Sequence, residues 1–352
     1  MSTETMRAIR WAGPGELAED TVPVPVPGPG RVLVRVERVG ICGSDLAIRR
    51  GEHARARPGV IVGHEFAGVV VAAPGDTAPA LAPGTSVAVR PLIACRDRGT
   101  TPLCGPCASG SPHVCASLGL YGVDEPGGLA QYVAVRTEAA HPVRGDVPAD
   151  VAVLAEPLAV AVHAVARSGL RPGATVAVFG AGPIGLFTAL VARYRGAGRV
   201  ILVEPNDWRR RTAEGRGFTV LAAGSEAPAR VRELTGGGAD IVFDSAGHAA
   251  VALQVTEAAR IQGTIVVAGV HKTPPAVDLR GVNFAEQTLI GTRVYSREDF
   301  LTAIGLLEKD ELGLASLPTT TYPLSASQDA FDAAGLGEGS VKILIAPNHD
   351  GS

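Results

Sequence analysis

The sequence predicts a two-domain protein of the α/β class, in which a mostly β domain is joined to a domain built on a parallel sheet. The length of 352 residues is more than one hydrophobic core usually serves. The first 150 or so residues hold short β-type runs separated by Gly and Pro, whereas the chain from about residue 151 alternates buried strands with helices. An apolar fraction of 46 % and a charged fraction of 19 % are typical of a compact fold.

The first domain contains an extended Pro/Gly-rich stretch, VPVPVPGPG, at residues 22–30. The next run, RVLVRVERVGI at 31–41, alternates apolar and polar residues with period two, which indicates a strand. Further β-type runs are VIVGHEFAGVVVAA, TSVAVRP and AQYVAVR. Because helical periodicity is nearly absent here, we predict an all-β domain with metal-binding loops.

The second domain begins with an alanine-rich stretch, ADVAVLAEPLAVAVHAVARSGL, whose apolar residues have helical spacing. The sequence then predicts a buried strand at 174–179, a glycine turn and a helix at 184–195, followed by another strand and helix. ADIVFDSAG and GTIVVAGV continue the alternation, which favours a parallel sheet. The last fifty or so residues predict a helix, SREDFLTAIGLLEKDELG, and a strand, SVKILIAP, that could rejoin the first domain.

Charge and terminal sequence indicate where the protein works. A formal net charge of −3 gives no reason to expect nucleic acid or an anionic membrane as a partner. The stretch MSTETMRAIRWAGPGE lacks the basic and apolar regions of a signal peptide, and we find no unbroken apolar run long enough to span a membrane. We therefore expect a cytoplasmic protein whose cysteines are reduced.

A glycine fingerprint predicts a dinucleotide site. In VAVFGAGPIG, Gly180, Gly182 and Gly185 have the spacing G-x-G-x-x-G between a predicted strand and helix. The first glycine allows the tight turn, the second lets the backbone approach a pyrophosphate, and the third lets helix and strand pack closely. With Pro183 and Ile184 at the start of the helix, free N–H groups would meet the phosphates.

The end of the second predicted strand, ILVEP, bears on the choice between NAD and NADP. Glu204 lies near the position where an acidic residue accepts the ribose hydroxyls and repels a 2′-phosphate, which favours NAD. The run Arg209–Arg211 leaves the alternative open, because an arginine nearby can hold a 2′-phosphate. Arg209 could instead stack on adenine.

Four of the five cysteines are clustered, and their spacing is typical of a structural zinc site. Cys95, Cys104, Cys107 and Cys115 read C-x8-C-x2-C-x7-C, and four thiolates suit a closed tetrahedral site. The segment between them has too few apolar residues to fold by packing, so a metal would supply its stability. Because of the x8 gap, His113 is the alternative ligand if Cys95 lies too far from the other three cysteines.

The remaining cysteine, Cys42, is left for chemistry. A catalytic zinc normally has three protein ligands and an open position, so one thiolate needs an imidazole and a carboxylate. His64 and Glu65 supply them at a nearby strand end, and Glu156 at the start of the alanine-rich helix is a further candidate. One thiolate and one carboxylate would neutralise Zn²⁺ and leave a site suited to an uncharged hydroxyl.

In these motifs the chain resembles the zinc-containing medium-chain dehydrogenases of the alcohol dehydrogenase superfamily. The resemblance covers essentially the whole length and rests on motifs that occur in the usual order: GICGSD, GHEFAGVV, the four cysteines, GGLAQYV, EPLAVAVHAV and VFGAGPIG. It is strongest to the polyol branch, which includes sorbitol, threonine and butanediol dehydrogenases, because the alcohol dehydrogenases proper have cysteine where Glu156 stands.

The resemblance implies a fold and a set of roles. It implies a GroES-like catalytic domain at 1–155 and 296–352 with a zinc lobe at about 91–118, a Rossmann domain at 156–295, and a cleft between them. It places the catalytic zinc on Cys42 and His64, with Glu65 and Glu156 contributing directly or through water. It makes Asp45 the hydrogen-bond partner of His64, and it makes Ser44 the hydroxyl that receives the substrate proton. It also implies a homodimer or homotetramer.

Two departures from the family pattern are visible. The histidine that often follows the catalytic cysteine by five residues, as a proton relay, is replaced by Ala47, and His53 is the nearest histidine in sequence. The first two lobe cysteines, Cys95 and Cys104, are separated by eight residues instead of the usual two.

The sequence therefore predicts a zinc-dependent, NAD-linked oxidoreductase that removes a hydride from a secondary alcohol such as a polyol, sugar, cyclitol or vicinal diol. Threonine or a simple alcohol is the alternative substrate within this class. A zinc protein that senses nucleotide without turnover is the alternative of another class, and Ala47 would be its symptom. A zinc-free quinone or enone reductase is opposed by Cys42, His64 and the cysteine lobe.

Overall fold

The structure, a computed structural model, describes residues 4–75 and 79–349. It divides into two compact units, of which the first comprises Met1–Glu156 with Ser296–Ser352 and the second Pro157–Tyr295.

The strands and helices follow one another in this order. The strands are β1 (Thr5–Gly13), β2 (Glu16–Pro23), β3 (Arg31–Gly40), β4 (Glu65–Ala72), β5 (Ser86–Val89), β6 (Leu92–Ile93), β7 (Gly119–Leu120), β8 (Tyr132–Arg136), β9 (Ala140–Pro142), β10 (Thr175–Phe179), β11 (Arg199–Glu204), β12 (Thr219–Ala222), β13 (Ala239–Asp244), β14 (Ala259–Val267), β15 (Thr288–Gly291), β16 (Thr319–Pro323) and β17 (Lys342–Ala346). The helices are α1 (Gly43–Arg49), α2 (Gly105–Ala108), α3 (Ala149–Ala152), α4 (Ala155–Arg167), α5 (Pro183–Tyr194), α6 (Asp207–Gly215), α7 (Ala227–Thr235), α8 (Ala249–Ala258), α9 (Leu279–Phe284), α10 (Arg297–Glu308) and α11 (Ser327–Leu336).

The first unit is organised around β3, the strand that the period-two pattern predicts. Its sheet has the order β16-β17-β3-β4-β5-β9, and β8 also pairs with β3. The valines of β3 at 32, 34 and 36 are fully buried, because alternate side chains of a strand point to the same face. At the end of β3, Gly40 lies opposite Glu65 of β4 and Leu344 of β17. This register brings the end of the chain beside the GHEF segment.

The second unit contains a doubly wound parallel sheet. Its strand order is β12-β11-β10-β13-β14-β15, and every neighbouring pair is parallel. The chain runs outward from β10 to β12 and then returns to β13, so the strand order reverses between β10 and β13. In sheets of this kind, ligands bind at the carboxyl ends of the strands at such a reversal.

The short helices of the first unit differ from the all-β prediction. Helix α1 has seven residues, too few for helical periodicity to show in the sequence. It is stabilised by its cap, since the Asp45 carboxylate accepts the N–H of Cys42 at 2.9 Å. The alanine-rich stretch, whose spacing predicts helix, forms two helices, Ala149–Ala152 and Ala155–Arg167.

One helical stretch passes a length and composition test for a membrane span. Ala149–Arg167 has a window with a mean hydropathy of 1.6, but 78 % of that window is buried inside the protein. A buried core helix has the same composition, so this stretch is weak support for a membrane-spanning role.

Candidate active site

Cys42 stands at the turn between β3 and α1, where the chain changes direction. It is the residue that caps the N-terminus of α1, and its backbone N–H is held by Asp45. The cap fixes the backbone of Cys42, so its side chain starts from a defined position. Cys42 is half-buried and forms no disulfide.

His64 is oriented by the same aspartate. Its Nδ1 lies 3.2 Å from Asp45 Oδ1, and both side chains are almost completely buried. Burial alone would lower the pKa of His64, but the neighbouring Asp45 carboxylate outweighs it and raises that pKa well above 6.5. Because Nδ1 is directed to the carboxylate, Nε2 is the nitrogen that faces Cys42 and Ser44. Ser44 Oγ lies 3.5 Å from this Nε2.

Cys42, His64 and Glu65 form a group with the chemistry of a metal site. Their ligand atoms all lie within 4.8 Å of one another. A sulfur, an imidazole nitrogen and a carboxylate oxygen are the ligand types that zinc prefers, and three protein ligands are the number that leaves a position open. The donor set therefore fits a catalytic zinc ion.

A buried lysine that sequence reasoning missed lies next to this group. The chain has three lysines, and Lys342, at the first position of β17, is only 4 % exposed. Its Nζ lies 2.5 Å from Glu65 Oε2, so the two side chains form a buried ion pair. A side chain on Gly40 would overlap the Glu65 carboxylate, so glycine is needed where the pair crosses β3.

Lys342 balances negative charge beside the metal group, the name used here for Cys42, His64 and Glu65. Burial would lower its pKa, but the charges of Glu65 and Cys42 outweigh burial and raise the pKa, so the ammonium group stays protonated. The charge of Glu156 acts on Lys342 in the same direction. Glu156 is 7 % exposed, and it is not part of the group formed by Cys42, His64 and Glu65 in the described residues.

We expect the variant Lys342→Met to lose about 3–5 kcal/mol in the free energy of unfolding, because it leaves the Glu65 carboxylate buried without its counter-charge. Urea denaturation of metal-free protein would measure the loss. The matched double variant Lys342→Met/Glu65→Gln removes both charges and should recover most of it. Equal stability of the single and double variants would show that the ion pair contributes nothing.

Because Ala47 replaces the histidine that relays the proton in the family, His53 is the nearest candidate for this role. This histidine is half-buried, and its Nδ1 accepts the backbone N–H groups of Arg55 at 3.3 Å and Ala56 at 3.2 Å. Burial and then the charge of Arg55 lower its pKa, while Asp45 acts in the opposite direction. The lone pair of Nδ1 is therefore committed to the loop, which disfavours His53 as a simple replacement for the missing histidine.

The four clustered cysteines meet despite the x8 gap. The ligand atoms of Cys95, Cys104, Cys107 and Cys115 all lie within 4.8 Å of one another. Cys104 Sγ is 3.7 Å from both Cys95 Sγ and Cys115 Sγ. A tetrahedral zinc site with Zn–S distances of about 2.3 Å has sulfurs about 3.8 Å apart, so this spacing fits zinc. His113 is not a member of the group in the described residues.

Crowded sulfurs in this lobe have opposed acidities. Burial raises the pKa of the Cys107 thiol to about 12. Burial also acts to raise the pKa of Cys115, but N–H donors from Cys95 and Ser117 outweigh it and lower the pKa to about 6. A divalent ion would remove this conflict, because it favours the thiolate form of every ligand.

In the second unit, the glycine turn has the geometry that a pyrophosphate needs. Gly180 has φ +96°, a conformation that favours glycine, and a side chain on Gly185 would overlap the carbonyl oxygen of Gly180. Gly182 caps α5, and Pro183 and Ile184 begin that helix, whose first N–H groups are available to phosphate. A side chain at these positions would fill the space in which the backbone approaches a pyrophosphate. The turn therefore fits a dinucleotide.

Glu204, at the end of β11, is turned toward this glycine turn. Its carboxylate accepts the N–H of Ala181 at 2.5 Å and the N–H of Asn206 at 3.0 Å, and the residue is 2 % exposed. The guanidinium group of Arg209 lies close to Gly182, since a side chain on that glycine would come within 3.6 Å of it. Glu204 therefore stabilises the turn itself, in addition to the ribose contact that the sequence predicts.

Comparison with protein families and curated proteins matches both units. The Alcohol dehydrogenase GroES-like domain profile matches residues 28–145, and the Zinc-binding dehydrogenase profile matches residues 183–309. The chain is 34 % identical to 2-dehydro-3-deoxy-L-galactonate 5-dehydrogenase of Pseudoalteromonas atlantica, covering 92 % of this chain and 93 % of that protein. It is 32 % identical to erythritol/L-threitol dehydrogenase of Mycolicibacterium smegmatis, covering 98 % of each chain.

Solved structures show the same fold with cofactor bound. An alcohol dehydrogenase of Escherichia coli CFT073 in complex with NADH superimposes with a TM-score of 0.89 at 28 % identity, covering 97 % of this chain and 99 % of that one. A protein of Sinorhizobium meliloti 1021 described as a zinc-binding dehydrogenase, bound to NADP, has a TM-score of 0.87 at 31 % identity, covering 98 % and 100 %. Similar chains thus bind either nicotinamide dinucleotide.

Proposed function

Since the chain belongs to the zinc-binding dehydrogenases of the alcohol dehydrogenase superfamily, we propose that it oxidises a secondary alcohol to a ketone with NAD as hydride acceptor. The observation that carries the proposal is the convergence of Cys42, His64 and Glu65 on one point of the first unit. We assign 1–155 and 296–352 to the catalytic domain and 156–295 to the dinucleotide-binding domain.

The residues of the first unit divide the work between them. When bound, zinc supplies Lewis acidity and NAD accepts the hydride. We assign Cys42, His64 and Glu65, with Glu156 directly or through water, to holding the ion. Asp45 holds the His64 ring so that Nε2 stays available, which its 3.2 Å contact with Nδ1 supports. Ser44 is our choice for the group that receives the hydroxyl proton, because its Oγ lies 3.5 Å from that Nε2.

The four-cysteine lobe and the glycine turn complete the assignment. We assign Cys95, Cys104, Cys107 and Cys115 to a structural zinc ion, which their spacing supports. We assign Gly180, Gly182, Pro183, Ile184, Gly185, Glu204 and Arg209 to the dinucleotide.

The charges around the metal group favour an uncharged, hydroxyl-rich substrate. The ammonium group of Lys342 balances Glu65, the Cys42 thiolate and Glu156 balance a divalent ion, and the Asp45 carboxylate against His64 remains as one further negative charge. A site without net positive charge gives no attraction to an anionic substrate group. Polyols, sugars, cyclitols and vicinal diols therefore fit best, and one relative is named for two uncharged polyols, erythritol and L-threitol.

The proposal is tested by a panel of alcohols with NAD, in which formation of NADH is followed by the absorbance of the reduced nicotinamide ring. We expect turnover with one of the polyols or diols and lower kcat/KM with primary alcohols. Binding of NADH with no turnover on any member of the panel would favour the nucleotide-sensing alternative.

Glu204 is expected to set the preference for NAD over NADP. Its negative charge lies at the turn and would repel a 2′-phosphate, so the variant Glu204→Gln should raise the NADP-to-NAD ratio of kcat/KM by at least about tenfold. Steady-state kinetics with both cofactors measures the ratio. The variant Glu204→Asp keeps the charge and should keep NAD preference. A wild-type enzyme that already prefers NADP would show that this role of Glu204 is wrong.

We propose that the protein is a homo-oligomer, a dimer or a tetramer. The support comes from β15, the last strand of the parallel sheet, whose outer edge has no partner strand among the described residues. Leu289 on this strand is 44 % exposed, and an unpaired apolar edge is a natural place for a second copy.

Light scattering should therefore give a mass of two or four times the chain mass of 36.0 kDa. The variant Leu289→Asp is expected to shift it toward the monomer, because the new charge would be buried at the contact. The matched control is Leu336→Asp, at an exposed leucine of α11 in the other unit. A wild-type mass of one chain would contradict the proposal.

We also propose that the enzyme is cytoplasmic. All five cysteines are free of disulfides in the structure, as expected of a reducing compartment. Cell fractionation tests the location directly.

A further inference from the structure

A buried aspartate ends β13, next to the reversal point of the parallel sheet. Asp244 is 1 % exposed, and its Oδ1 accepts the backbone N–H groups of Ala246 and Gly247, both at 3.0 Å. These bonds fix the loop 245–247. This loop packs against the glycine turn, because a side chain on Gly180 would come within 3.2 Å of the Ala246 nitrogen.

The same aspartate holds the loop that follows β14. Its Oδ2 lies 2.8 Å from Nε2 of His271, and its carbonyl oxygen accepts the N–H groups of Ala268 at 2.9 Å and Gly269 at 2.7 Å. The two loops are in backbone contact, since a side chain on Gly247 would meet the carbonyl oxygen of Val270 at 2.6 Å. His271 is therefore held in a fixed relation to the glycine turn.

The hydrogen bond to Asp244 determines which nitrogen of His271 carries the proton. An ionised carboxylate can only accept, so Nε2 carries the hydrogen and Nδ1 presents a lone pair. The side chain of His271 is 14 % exposed, and Nδ1 has no hydrogen-bond partner in the part of the chain that the structure describes. An acceptor is thus presented at the carboxyl edge of the sheet.

The position of this acceptor indicates what it would meet. A dinucleotide lies across the reversal point, with its pyrophosphate at the glycine turn. Glu204 on β11 marks the side of the adenosine half. The nicotinamide half then lies toward β13 and β14, where His271 stands. This half carries hydrogen-bond donors, namely the carboxamide N–H₂ and the ribose hydroxyls.

We propose that Asp244 and His271 form a cofactor-positioning pair, in which His271 Nδ1 accepts a hydrogen bond from the nicotinamide half of the dinucleotide and Asp244 fixes the tautomer that makes this possible. His271 is the binding residue, and Asp244 is a positioning residue that acts through it. The inference rests on the proposed function in one respect, namely that the protein binds NAD.

Two variants of His271 separate binding from structure. His271→Gln keeps a donor toward Asp244 and loses the outward acceptor, whereas His271→Asn keeps an outward amide oxygen and loses the inward donor. Fluorescence titration should give a Kd for NADH about fivefold weaker in the Gln variant, the loss of one net hydrogen bond. The Gln variant should keep a Tm near that of the wild type. The Asn variant should have the lower Tm of the two and bind NADH more tightly than the Gln variant.

Repeating the titration with reduced 3-acetylpyridine adenine dinucleotide, which has a methyl group in place of the amide nitrogen, identifies the donor. Loss of the difference between wild type and the Gln variant assigns the bond to the carboxamide, and persistence assigns it to a ribose hydroxyl. A Kd in the Gln variant within twofold of the wild type, or equal weakening in both variants in step with Tm, would overturn the proposal. Failure of the wild type to bind NADH would instead refute the proposed function.

Discussion

The variant Cys42→Ala is expected to lose its catalytic zinc and, with it, turnover, while the rest of the protein stays folded. Removal of the thiolate takes away one of three close ligands and its negative charge. A bound metal contributes several kcal/mol to transition-state stabilisation, so kcat/KM should fall by at least about a thousandfold. Zinc content should fall from two ions per chain to one, as measured by mass spectrometry of the metal.

Two controls distinguish loss of the catalytic zinc from general unfolding of the variant. NADH binding should be unchanged, because the glycine turn belongs to the second unit. The variant Cys42→Ser should behave like Cys42→Ala, since a neutral hydroxyl is a poor substitute for a thiolate ligand. Full activity in either variant would remove the metal from the mechanism.

The variant Cys104→Ala is expected to unfold the cysteine lobe. The lobe has few apolar residues, and structural zinc contributes on the order of 10 kcal/mol to the folding of small zinc-binding segments. We expect a Tm at least about 10 °C lower and rapid protease cleavage between residues 95 and 115. Differential scanning fluorimetry and limited proteolysis measure both effects.

The control is Ser109→Ala in the same lobe, because the hydroxyl of Ser109 donates a hydrogen bond to the carbonyl oxygen of Pro106, three residues before it. This variant should keep its Tm and its resistance to protease. A Cys104→Ala protein that resists cleavage as well as the control would show that the lobe does not depend on metal.

Local patterns predicted much of the fold. The strand predicted at 174–179 is β10, Thr175–Phe179, and the helix predicted at 184–195 is α5, Pro183–Tyr194. These elements are long and strongly patterned, and their boundaries shift by only one residue. The prediction of a GroES-like domain with a Rossmann domain is confirmed by the family profiles and solved relatives. The division of the cysteines into a cluster of four and a single residue could be predicted because it depends only on their spacing in the sequence.

Contacts between distant segments could not be predicted in the same way. Lys342 reaches Glu65 because β17 and β4 both pair with β3, and no pattern in one sequence specifies that register. A glycine inside a strand, such as Gly40, often marks a close approach of other groups, but it does not indicate which groups these are. Asp244 and His271 are 27 residues apart and meet because their strands are neighbours in the sheet.

The proposed mechanism requires a zinc ion with a single sulfur ligand, and zinc-edge X-ray absorption of the purified protein tests for this ion most directly. The wild type should contain two zinc ions per chain, with an average of two to three sulfur ligands at about 2.3 Å and the remainder nitrogen or oxygen. In Cys42→Ala, one zinc with four sulfurs should remain. Two zinc ions with an unchanged spectrum in that variant would contradict the account.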